Sequence, residues 1–453
     1  MPADPASARE RSSILISTPI YDFVSSYARS SPSRFHVPGH KGARFLGPEP
    51  LDLTEVAGAD DLYAPEGIIA ESQRNAASLF GTAATFYSAE GSSLCVRAMV
   101  HLLLSHRPEG AARRILAARN VHRSFVSAAA LLDADVVWLY PETSDSPLTC
   151  IISPSVLDRA LAELADPPAA VWVTSPDYLG AMQDISALAE VCHRRGTRLA
   201  VDNAHGAYLH FLPDPRHPMD LGADICCDSA HKTLPVLTGG AYLHLSARCP
   251  EAMTSDVSSA LSLFGSSSPS YLILASLDLA NAALASGLPA RLRQALEQTD
   301  RTKSSLTGSG WTVCPSDPLR ITLRTDGAAA SARLRNGAVE PEYADPEHVV
   351  LMVSPDNSPE DHSALLDALG CGDLSAPSPD ARVIRGIPAM TIREALLSPR
   401  QTVRPEEAAG RICADVSAAC PPAVPLVMPG ERILEEHISL FRRFGLPSVS
   451  VVS

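Results

Sequence analysis

The chain has 453 residues, of which 45% are apolar and 19% charged, and its formal net charge at pH 7 is −14. This composition excludes an intrinsically disordered chain, and the acidic balance argues against a nucleic-acid partner, whose phosphates it would repel. Because a chain of this length exceeds one ordinary core, we expect a large α/β domain and a smaller domain.

The N-terminal segment combines an expected loose tail, residues 1–13, with a stretch of helical periodicity. Apolar residues recur at helical intervals over residues 14–28, which predicts an amphipathic arm. His36, His40 and Lys41 then surround a Pro-Gly turn. On spacing alone this segment is either a surface turn or the edge of an active-site entrance.

A glycine-serine motif marks the start of a long apolar helix. A predicted helix over residues 71–80 and a short strand over residues 84–87 lead to Gly91, Ser92 and Ser93. A helix start of this kind offers free backbone N–H groups, hydroxyls and the positive end of the helix dipole, which together suit a phosphate. By itself the motif is more often a serine cap without a ligand.

Strands and helices then alternate, which predicts a mostly parallel sheet covered by helices on both faces. The predicted strands are residues 115–118, 136–140 and 171–174, and the predicted helices that follow the second and third of them are residues 156–164 and 185–195. The ten cysteines are scattered without a C-x-x-C pair, which indicates a reducing cytoplasm rather than a disulfide framework or a metal site. We see no signal peptide and no apolar run of membrane-spanning length, so we expect a cytoplasmic protein without a membrane partner.

Two apolar segments end in the polar residues on which the functional prediction depends. Residues 198–202 end in Asp202, and residues 223–227 are followed by a polar turn that contains Lys232, thirty residues after the aspartate. Because α/β sheets hold ligands at the carboxyl ends of their strands, we expect both side chains at that edge. An enzyme of pyridoxal 5'-phosphate (PLP) needs such a pair, a lysine for the Schiff base and an aspartate for the pyridinium nitrogen.

The pattern changes near residue 300. Residues 319–325 and 349–353 are predicted strands, and Ser358 caps a predicted helix that ends at Leu369. Further predictions are a linker over residues 371–382, a helix from Pro405 to about Ala418, and a last helix from Glu431. We therefore divide the chain into an N-terminal arm and active-site segment (1–70), a PLP-binding large domain (71–300) and a C-terminal small domain with an extension (301–453).

The ordered motifs resemble those of fold type I (aspartate aminotransferase-like) PLP enzymes, and more narrowly the short form of the Orn/Lys/Arg decarboxylase family. The matches extend over nearly the whole chain. They are Tyr21-Asp22, His36-Val37-Pro38-Gly39-His40-Lys41-Gly42, Asp60-Asp61-Leu62, Arg119-Asn120 with His122, Thr174-Ser175-Pro176, Asp202 with Ala204-His205-Gly206, Ser229 with His231-Lys232-Thr233-Leu234, Ser268-Pro269-Ser270-Tyr271, and Pro425 with Pro429-Gly430-Glu431.

The resemblance implies a role for each matching residue. Lys232 holds PLP covalently and acts in proton transfer, Asp202 pairs with the ring nitrogen, and His231 is a second candidate proton donor. The remaining cofactor-binding candidates are His122 and Ala204 on the two ring faces, Ser92, Ser93 and Ser229 at the phosphate, and His205 near the substrate carboxylate or the ring hydroxyl. The loop at Ser267 is expected to reach the phosphate of a partner subunit, which implies a homodimer with shared active sites.

The resemblance further implies decarboxylation of lysine, ornithine or arginine, giving CO₂ and an amine of the polyamine type. Glu342, Glu406 and Glu431 are candidates for binding the cationic end of the substrate. Departures from the family pattern, at residues 94–97 and 237–240 and at Asn203, leave the substrate and the reaction open. The alternatives are aminotransfer or oxygen-dependent oxidation on the same cofactor, and a non-catalytic binding protein.

Overall fold

The computed structural model describes residues 16–144, 146–372, 383–416 and 423–453. Its helices are α1 (Pro19–Ser30), α2 (Ile68–Phe80), α3 (Ser92–Ser105), α4 (Arg123–Leu132), α5 (Pro154–Ala162), α6 (Ile185–Arg194), α7 (Ala230–Thr233), α8 (Glu251–Ser255), α9 (Val257–Phe264), α10 (Tyr271–Ala285), α11 (Leu288–Gly308), α12 (Gly327–Asn336), α13 (Pro359–Leu369), α14 (Ile392–Leu397) and α15 (Glu435–Arg443). Short 3₁₀ turns occur at Glu49–Leu51, Ala207–Phe211 and Pro405–Glu407.

The strands are β1 (Ala84–Ser88), β2 (Ala112–Ala118), β3 (Asp135–Leu139), β4 (Pro168–Thr174), β5 (Arg198–Asp202), β6 (Ile225–Asp228), β7 (Ala241–Leu245), β8 (Thr312–Val313), β9 (Arg320–Arg324), β10 (Tyr343–Ala344), β11 (His348–Met352), β12 (Ile387–Pro388), β13 (Arg400–Val403), β14 (Glu431–Arg432) and β15 (Val449–Val452). A seven-stranded sheet has the order β1-β7-β6-β5-β4-β2-β3. Neighbouring strands from β3 to β6 are parallel, whereas β7 is antiparallel to both β6 and β1.

Helices cover both faces of this sheet, as the alternation of strands and helices predicted. Trp172 of β4 packs into a core with α3, α4 and α9, while its neighbours Val171 and Val173 pack with α5 and α6 on the other face. Successive side chains of a strand point to opposite faces, so a strand buried on both faces must be apolar throughout. The large domain is therefore an α/β fold built on a mostly parallel sheet, with further α+β structure after it.

A second, four-stranded antiparallel sheet has the order β10-β11-β9-β8. Its apolar residues join α1, α2, α10 and α11 in one continuous core, which includes Ile20, Leu274, Ile321 and Val349. The core thus connects the N-terminal arm with the second sheet. The domain limits at residues 70 and 300 stay a prediction.

The C-terminal region differs from the sequence prediction. The helix expected from Pro405 is wrong over the described residues, because only Pro405–Glu407 turns, as a short 3₁₀ segment. Gly410 has a φ of +77°, and Ile412 and Cys413 then form bridges to Arg432 and Val451. Strand pairing takes up the backbone N–H groups that a helix would use.

The last helix begins at Glu435 rather than Glu431, since Glu431–Arg432 pairs as β14 with β12. The predicted tail over residues 1–13 and most of the predicted linker, residues 373–382, lie outside the described residues.

Among the described helices, no single one is long and apolar enough to cross a membrane. The consecutive helices α10 and α11 pass that test only as a pair, and they meet at a bend of 79°.

Candidate active site

The predicted lysine and aspartate lie at the same edge of the large sheet. Strands β4, β5 and β6 are in register so that Thr174 pairs with Asp202, and Asp202 with Cys227. The short helix α7 begins two residues after β6 ends and carries Lys232. The parallel strands thus bring the two side chains together, as their positions after apolar segments predicted.

Lys232 is in contact with a histidine that is itself held by a buried arginine. The Nζ atom of Lys232 lies 2.7 Å from Nε2 of His205, and a terminal nitrogen of Arg320 lies 3.0 Å from Nδ1 of the same ring. Although part of the Lys232 side chain is exposed, burial by the surrounding protein lowers its pKa below the usual range. Asp202 opposes this shift and Arg320 adds to it.

The pKa of His205 is lowered well below its usual value, first by burial and then by the charges of Lys232 and Arg320. The ring is therefore neutral. Tyr178 packs edge-on against this ring, with ring centroids 5.3 Å apart. His205 thus lies between the amine of Lys232 and the guanidinium of Arg320, and against an aromatic ring.

Asp202 is buried, with 3% of its surface exposed, and its Oδ1 accepts a hydrogen bond from the backbone N–H of Ala204 at 3.2 Å. Burial raises its pKa, and the nearby Lys232 opposes that shift. The ionised form of a buried carboxyl is stabilised most by a positively charged N–H partner. This is the partner that a pyridinium ring would offer.

A buried hydrogen-bond network lies directly behind Asp202. Asp228 accepts hydrogen bonds from Asn203 at 2.6 Å, His217 at 2.9 Å and His244 at 3.2 Å. Burial works to raise the pKa of Asp228, but the two histidines outweigh it and hold the pKa below its usual range. Asn203, a departure from the family pattern, therefore fixes the backbone next to Asp202.

The ring nitrogens of His217 and His244 and a carboxylate oxygen of Asp228 lie within 4.8 Å of one another, a spacing that would also suit a metal ion. The Nδ1 atom of His217 accepts the backbone N–H of Met219 at 3.3 Å. Its Nε2 atom therefore carries the hydrogen that it donates to Asp228. Hydrogen bonding accounts for this cluster.

The phosphate candidates meet where α3 begins. Gly91 precedes the helix with a φ of +75°, a conformation that suits glycine, and Ser92 and Ser93 form its first turn. The hydroxyl of Ser229, which precedes α7, donates to the Ser92 hydroxyl at 2.6 Å. Two hydroxyls and the free N–H groups of α3 thus converge close to the helix that carries Lys232.

His122 precedes α4, and its Nδ1 accepts the backbone N–H of Ser124 at 3.2 Å. Burial, with Lys232 as the next contribution, lowers its pKa to about 4, so the ring is neutral and lies within electrostatic reach of the lysine. A neutral imidazole suits stacking on a cofactor ring. Ala204 adds only its backbone N–H to the described contacts of Asp202.

The described hydrogen bonds do not place His231 or Ser267 against Lys232. The Nδ1 atom of His231 lies 3.1 Å from the carbonyl oxygen of Gly240. Ser267 is exposed, in a loop whose Ser266 N–H donates to Glu90 of the same chain at 2.6 Å. That loop therefore lies near the chain's own α3, and its reach toward a partner stays a prediction.

Arg320, Tyr178 and Asp228 were missed by the sequence prediction as site residues. Arg320 follows His205 by 115 positions, and a buried arginine at the start of a strand has no sequence signal of its own. Asp228 begins the polar turn that contains Lys232, and its charge at the end of an apolar segment was the available signal. Of the three acidic candidates, Glu342 is among the charges that raise the pKa of Lys232.

The residues present fit PLP. They supply an amine with a lowered pKa, a buried carboxyl for the ring nitrogen, a neutral aromatic ring, and hydroxyls with free N–H groups for a phosphate. Each of these features comes from a different element, and all of them belong to one edge of the sheet or to α3.

Two family models match the chain. One, described as Orn/Lys/Arg decarboxylase, major domain, matches residues 18–356, and one described as Orn/Lys/Arg decarboxylase, C-terminal domain, matches residues 384–445. An arginine decarboxylase of Bacillus subtilis (strain 168) is 30% identical over 473 residues, which cover 95% of this chain and 94% of that protein.

Solved structures share the fold. Lysine decarboxylase A from Pseudomonas aeruginosa matches with a TM-score of 0.80 at 18% identity, over 97% of this chain and 81% of that chain. A high-resolution structure of SPT with PLP matches with a TM-score of 0.56 at 14% identity, over 79% and 85% of the two chains. At these identities the likeness supports the fold alone.

Proposed function

Because the chain belongs to the Orn/Lys/Arg decarboxylase family of PLP-dependent enzymes, we propose that this decarboxylase of a basic amino acid acts on arginine, with lysine and ornithine as alternatives. The similarity to an arginine decarboxylase over nearly the full length of both chains supports arginine as the first choice. The products are CO₂ and the corresponding amine, of the polyamine type. The observation that carries the proposal is Lys232, with its lowered pKa, beside the buried Asp202.

In this proposal PLP supplies an electron sink for the pair of electrons that remains when the carboxylate leaves as CO₂. Lys232 holds the cofactor, and Asp202 keeps the ring nitrogen protonated. His122 and Ala204 support the two faces of the ring, and His205 lies near the reacting end. The phosphate is bound by Ser92, Ser93 and Ser229 with the N–H groups of α3.

We assign the return of a proton to the substrate Cα to Nζ of Lys232 rather than to His231. The Nδ1–H of His231 donates to the Gly240 carbonyl, so Nε2 of the neutral ring carries only a lone pair. Burial lowers the pKa of His231, which favours that neutral form. His231 then acts in positioning the turn that contains Lys232.

Glu342 is the group that we propose for the cationic end of the substrate. Its carboxylate accepts the hydroxyl of Tyr178 at 2.7 Å, and its backbone N–H donates to Val350 at 3.0 Å, so the side chain is held in place while exposed. The other candidates are occupied. Glu431 is buried against Arg119, and Glu406 is paired with Arg442 at the surface.

A homodimer is part of the proposal. Large apolar side chains are exposed at Phe35, Val37, Phe45 and Leu46, within one segment next to His36 and His40. Exposed apolar groups concentrated in a single segment are typical of an interaction surface. This segment and the Ser267 loop are the parts that we expect to face a second copy of the chain.

The test is to incubate the purified holoenzyme with each common amino acid and to measure CO₂, the amine product and the visible spectrum of the cofactor. Arginine should give CO₂ and its amine in equal amounts, whereas a keto acid would support aminotransfer instead. Lys232→Ala should lose the visible absorption of the attached cofactor, and Lys303→Ala, at a half-buried lysine outside the site, should retain it.

A further inference from the structure

Arg320 is a buried cation with a defined set of partners. Only 1% of its surface is exposed. One terminal nitrogen donates to the backbone carbonyls of Asp177 at 3.2 Å and Tyr178 at 2.6 Å, and Nε lies 3.2 Å from the carboxylate of Asp317. The other terminal nitrogen faces the ring of His205 at 3.0 Å.

These contacts determine which ring nitrogen of His205 carries the hydrogen. A guanidinium can only donate hydrogen bonds, so the contact with Arg320 favours Nδ1 of His205 as an acceptor, in competition with the backbone carbonyl of Asp177, which would accept a ring N–H. In a neutral ring the hydrogen then lies on Nε2. That atom is 2.7 Å from Nζ of Lys232, and an Nε2–H can bond there only to a lone pair. An ammonium at Nζ has no lone pair, so this geometry favours the uncharged amine.

We propose that Arg320 is a positioning residue that fixes the tautomer of His205 and thereby keeps the amine of Lys232 uncharged for attachment to the PLP aldehyde. The proposal rests on the function proposed above, in which Lys232 is the attachment site. In this condensation the Nζ lone pair forms the C=N bond, and the aldehyde oxygen leaves as water with the two amine hydrogens. No oxidant or reductant is required.

Other charged groups also face Lys232, and their influence on its protonation must be distinguished from that of the His205 tautomer. Asp202, Glu342 and Cys227 favour the ammonium, whereas burial and the charge of Arg320 disfavour it. His122 is neutral, with its pKa at about 4, and lies on the side of α4. Arg320 can therefore act on Lys232 in two ways, by its charge or through the hydrogen bonds of His205.

A double-mutant cycle distinguishes the two ways. Cofactor is stripped from the holoenzyme, and the rate at which PLP attaches is followed by visible absorption as a function of pH. We compare wild type, Arg320→Met, His205→Phe and the double variant. If His205 transmits the effect of Arg320 on Lys232, each single variant moves the pH profile of the rate to higher pH and slows attachment about tenfold at about pH 8. The double variant is then no slower than either single variant.

The matched control is Lys303→Met, which removes a cation that donates to the backbone carbonyls of Asp317 and Pro318 without touching His205. Its profile should match that of wild type. Additive effects in the double variant would overturn the proposal in favour of charge alone. A profile that stays in place in Arg320→Met, with only KM for substrate raised, would assign Arg320 to the substrate carboxylate and equally overturn it.

Because Arg320→Met removes buried hydrogen bonds, the folding of this variant is checked by circular dichroism. If Arg320→Met does not fold, His205→Phe still tests the proposal independently. The wild-type profile is a further check, because a midpoint at the ordinary lysine value would contradict the proposal. A wild-type protein that attaches no PLP would contradict the proposed function itself. The two failures are therefore distinguishable.

Discussion

At the scale of single residues, burial pushes the two central groups of the site toward their neutral forms. It lowers the pKa of Lys232 and raises that of Asp202, and in each case the other residue opposes the shift. A protonated ring nitrogen beside Asp202 would stabilise its carboxylate. In the proposed site, binding of the cofactor would therefore relieve the cost of burying that carboxyl.

The role proposed for Glu342 can be tested by Glu342→Gln. The change keeps the shape of the side chain and its hydrogen bond with Tyr178 but removes the charge. A hydrogen bond to a charged group contributes about 1.5–3 kcal/mol, so KM for the basic substrate should rise about tenfold or more while kcat changes little. Steady-state kinetics with CO₂ detection measure both constants.

The matched control is Glu340→Gln, two positions away, where the carboxylate pairs with the exposed Arg335 instead. That variant should keep the wild-type KM. An unchanged KM in Glu342→Gln would assign the cationic end of the substrate to another group.

Site residues that lie next to a recognisable apolar run could be predicted from the sequence, whereas a residue that reaches the site from a distant part of the chain could not. Lys232, Asp202 and Ser92 each follow or precede an apolar run, and the order of the runs predicts one shared edge of the sheet. Arg320 acts from a strand of the second sheet, and nothing local in its sequence indicates that it would face His205. The relative placement of the two sheets was needed for that contact.

At the scale of elements, a buried ion pair joins the C-terminal region to the large sheet. Arg119 follows β2, and its guanidinium donates to Glu431 of β14 at 2.9 Å, with both side chains nearly inaccessible. Glu431 also accepts the backbone N–H of Met428. These contacts hold β14 close to the end of the strand that leads to His122.

Glu431→Gln should destabilise the protein by about 3–5 kcal/mol, because it leaves the charge of Arg119 buried without an anionic partner. Urea unfolding followed by circular dichroism gives the loss. The exposed pair of Arg335 and Glu340 provides the comparison, since removing one partner there should cost about 1 kcal/mol or less. Equal losses at the two sites would mean that Arg119 finds other partners or water.

The same region shows where the prediction of elements failed. The alternating segment from β2 to β6 could be predicted because each strand is an apolar run and each helix has its own periodicity. Residues 405–416 also have some helical periodicity, but Cys413 exchanges backbone hydrogen bonds with Gly430 and Glu431. Pairing with a distant strand overrides local preference, and the sequence does not report it.

At the scale of the whole molecule, the segment that bears Phe35, Phe45 and Leu46 predicts self-association. Their exposed fractions are 97%, 75% and 81%. Phe45→Ser combined with Leu46→Ser should weaken the expected dimer by removing apolar surface from the proposed interface, at least about tenfold in dissociation constant. Sedimentation velocity over a range of concentrations measures the change.

Leu397, which is 65% exposed at the end of α14, gives the control, and Leu397→Ser should leave association unchanged. Equal weakening by the two changes would show a general effect of surface hydrophobicity. A double variant that associates like wild type would place the interface elsewhere.

The buried histidines make the stability of the whole chain depend on pH. Burial, and then the charge of Arg119, lowers the pKa of His437 from 6.5 to about 4. Between these values the unfolded chain binds more protons at this residue than the folded chain, so stability is lost as the pH falls from 6.5 toward 4. Asp177 and Asp278, whose pKa burial raises to about 6, act in the opposite direction.

His437→Asn isolates one of these contributions. Asparagine can still accept the backbone N–H of Leu434, which His437 binds through Nδ1 at 2.9 Å, but it does not titrate. At neutral pH the variant should be less stable than wild type because it fills less of the core. The difference in free energy of unfolding should shrink by up to about 3 kcal/mol as the pH is lowered from 6.5 to 4, because only wild type then loses the stability that depends on a neutral His437. Urea unfolding at a series of pH values measures it, and a difference that stays constant would mean that His437 keeps an ordinary pKa in the folded protein.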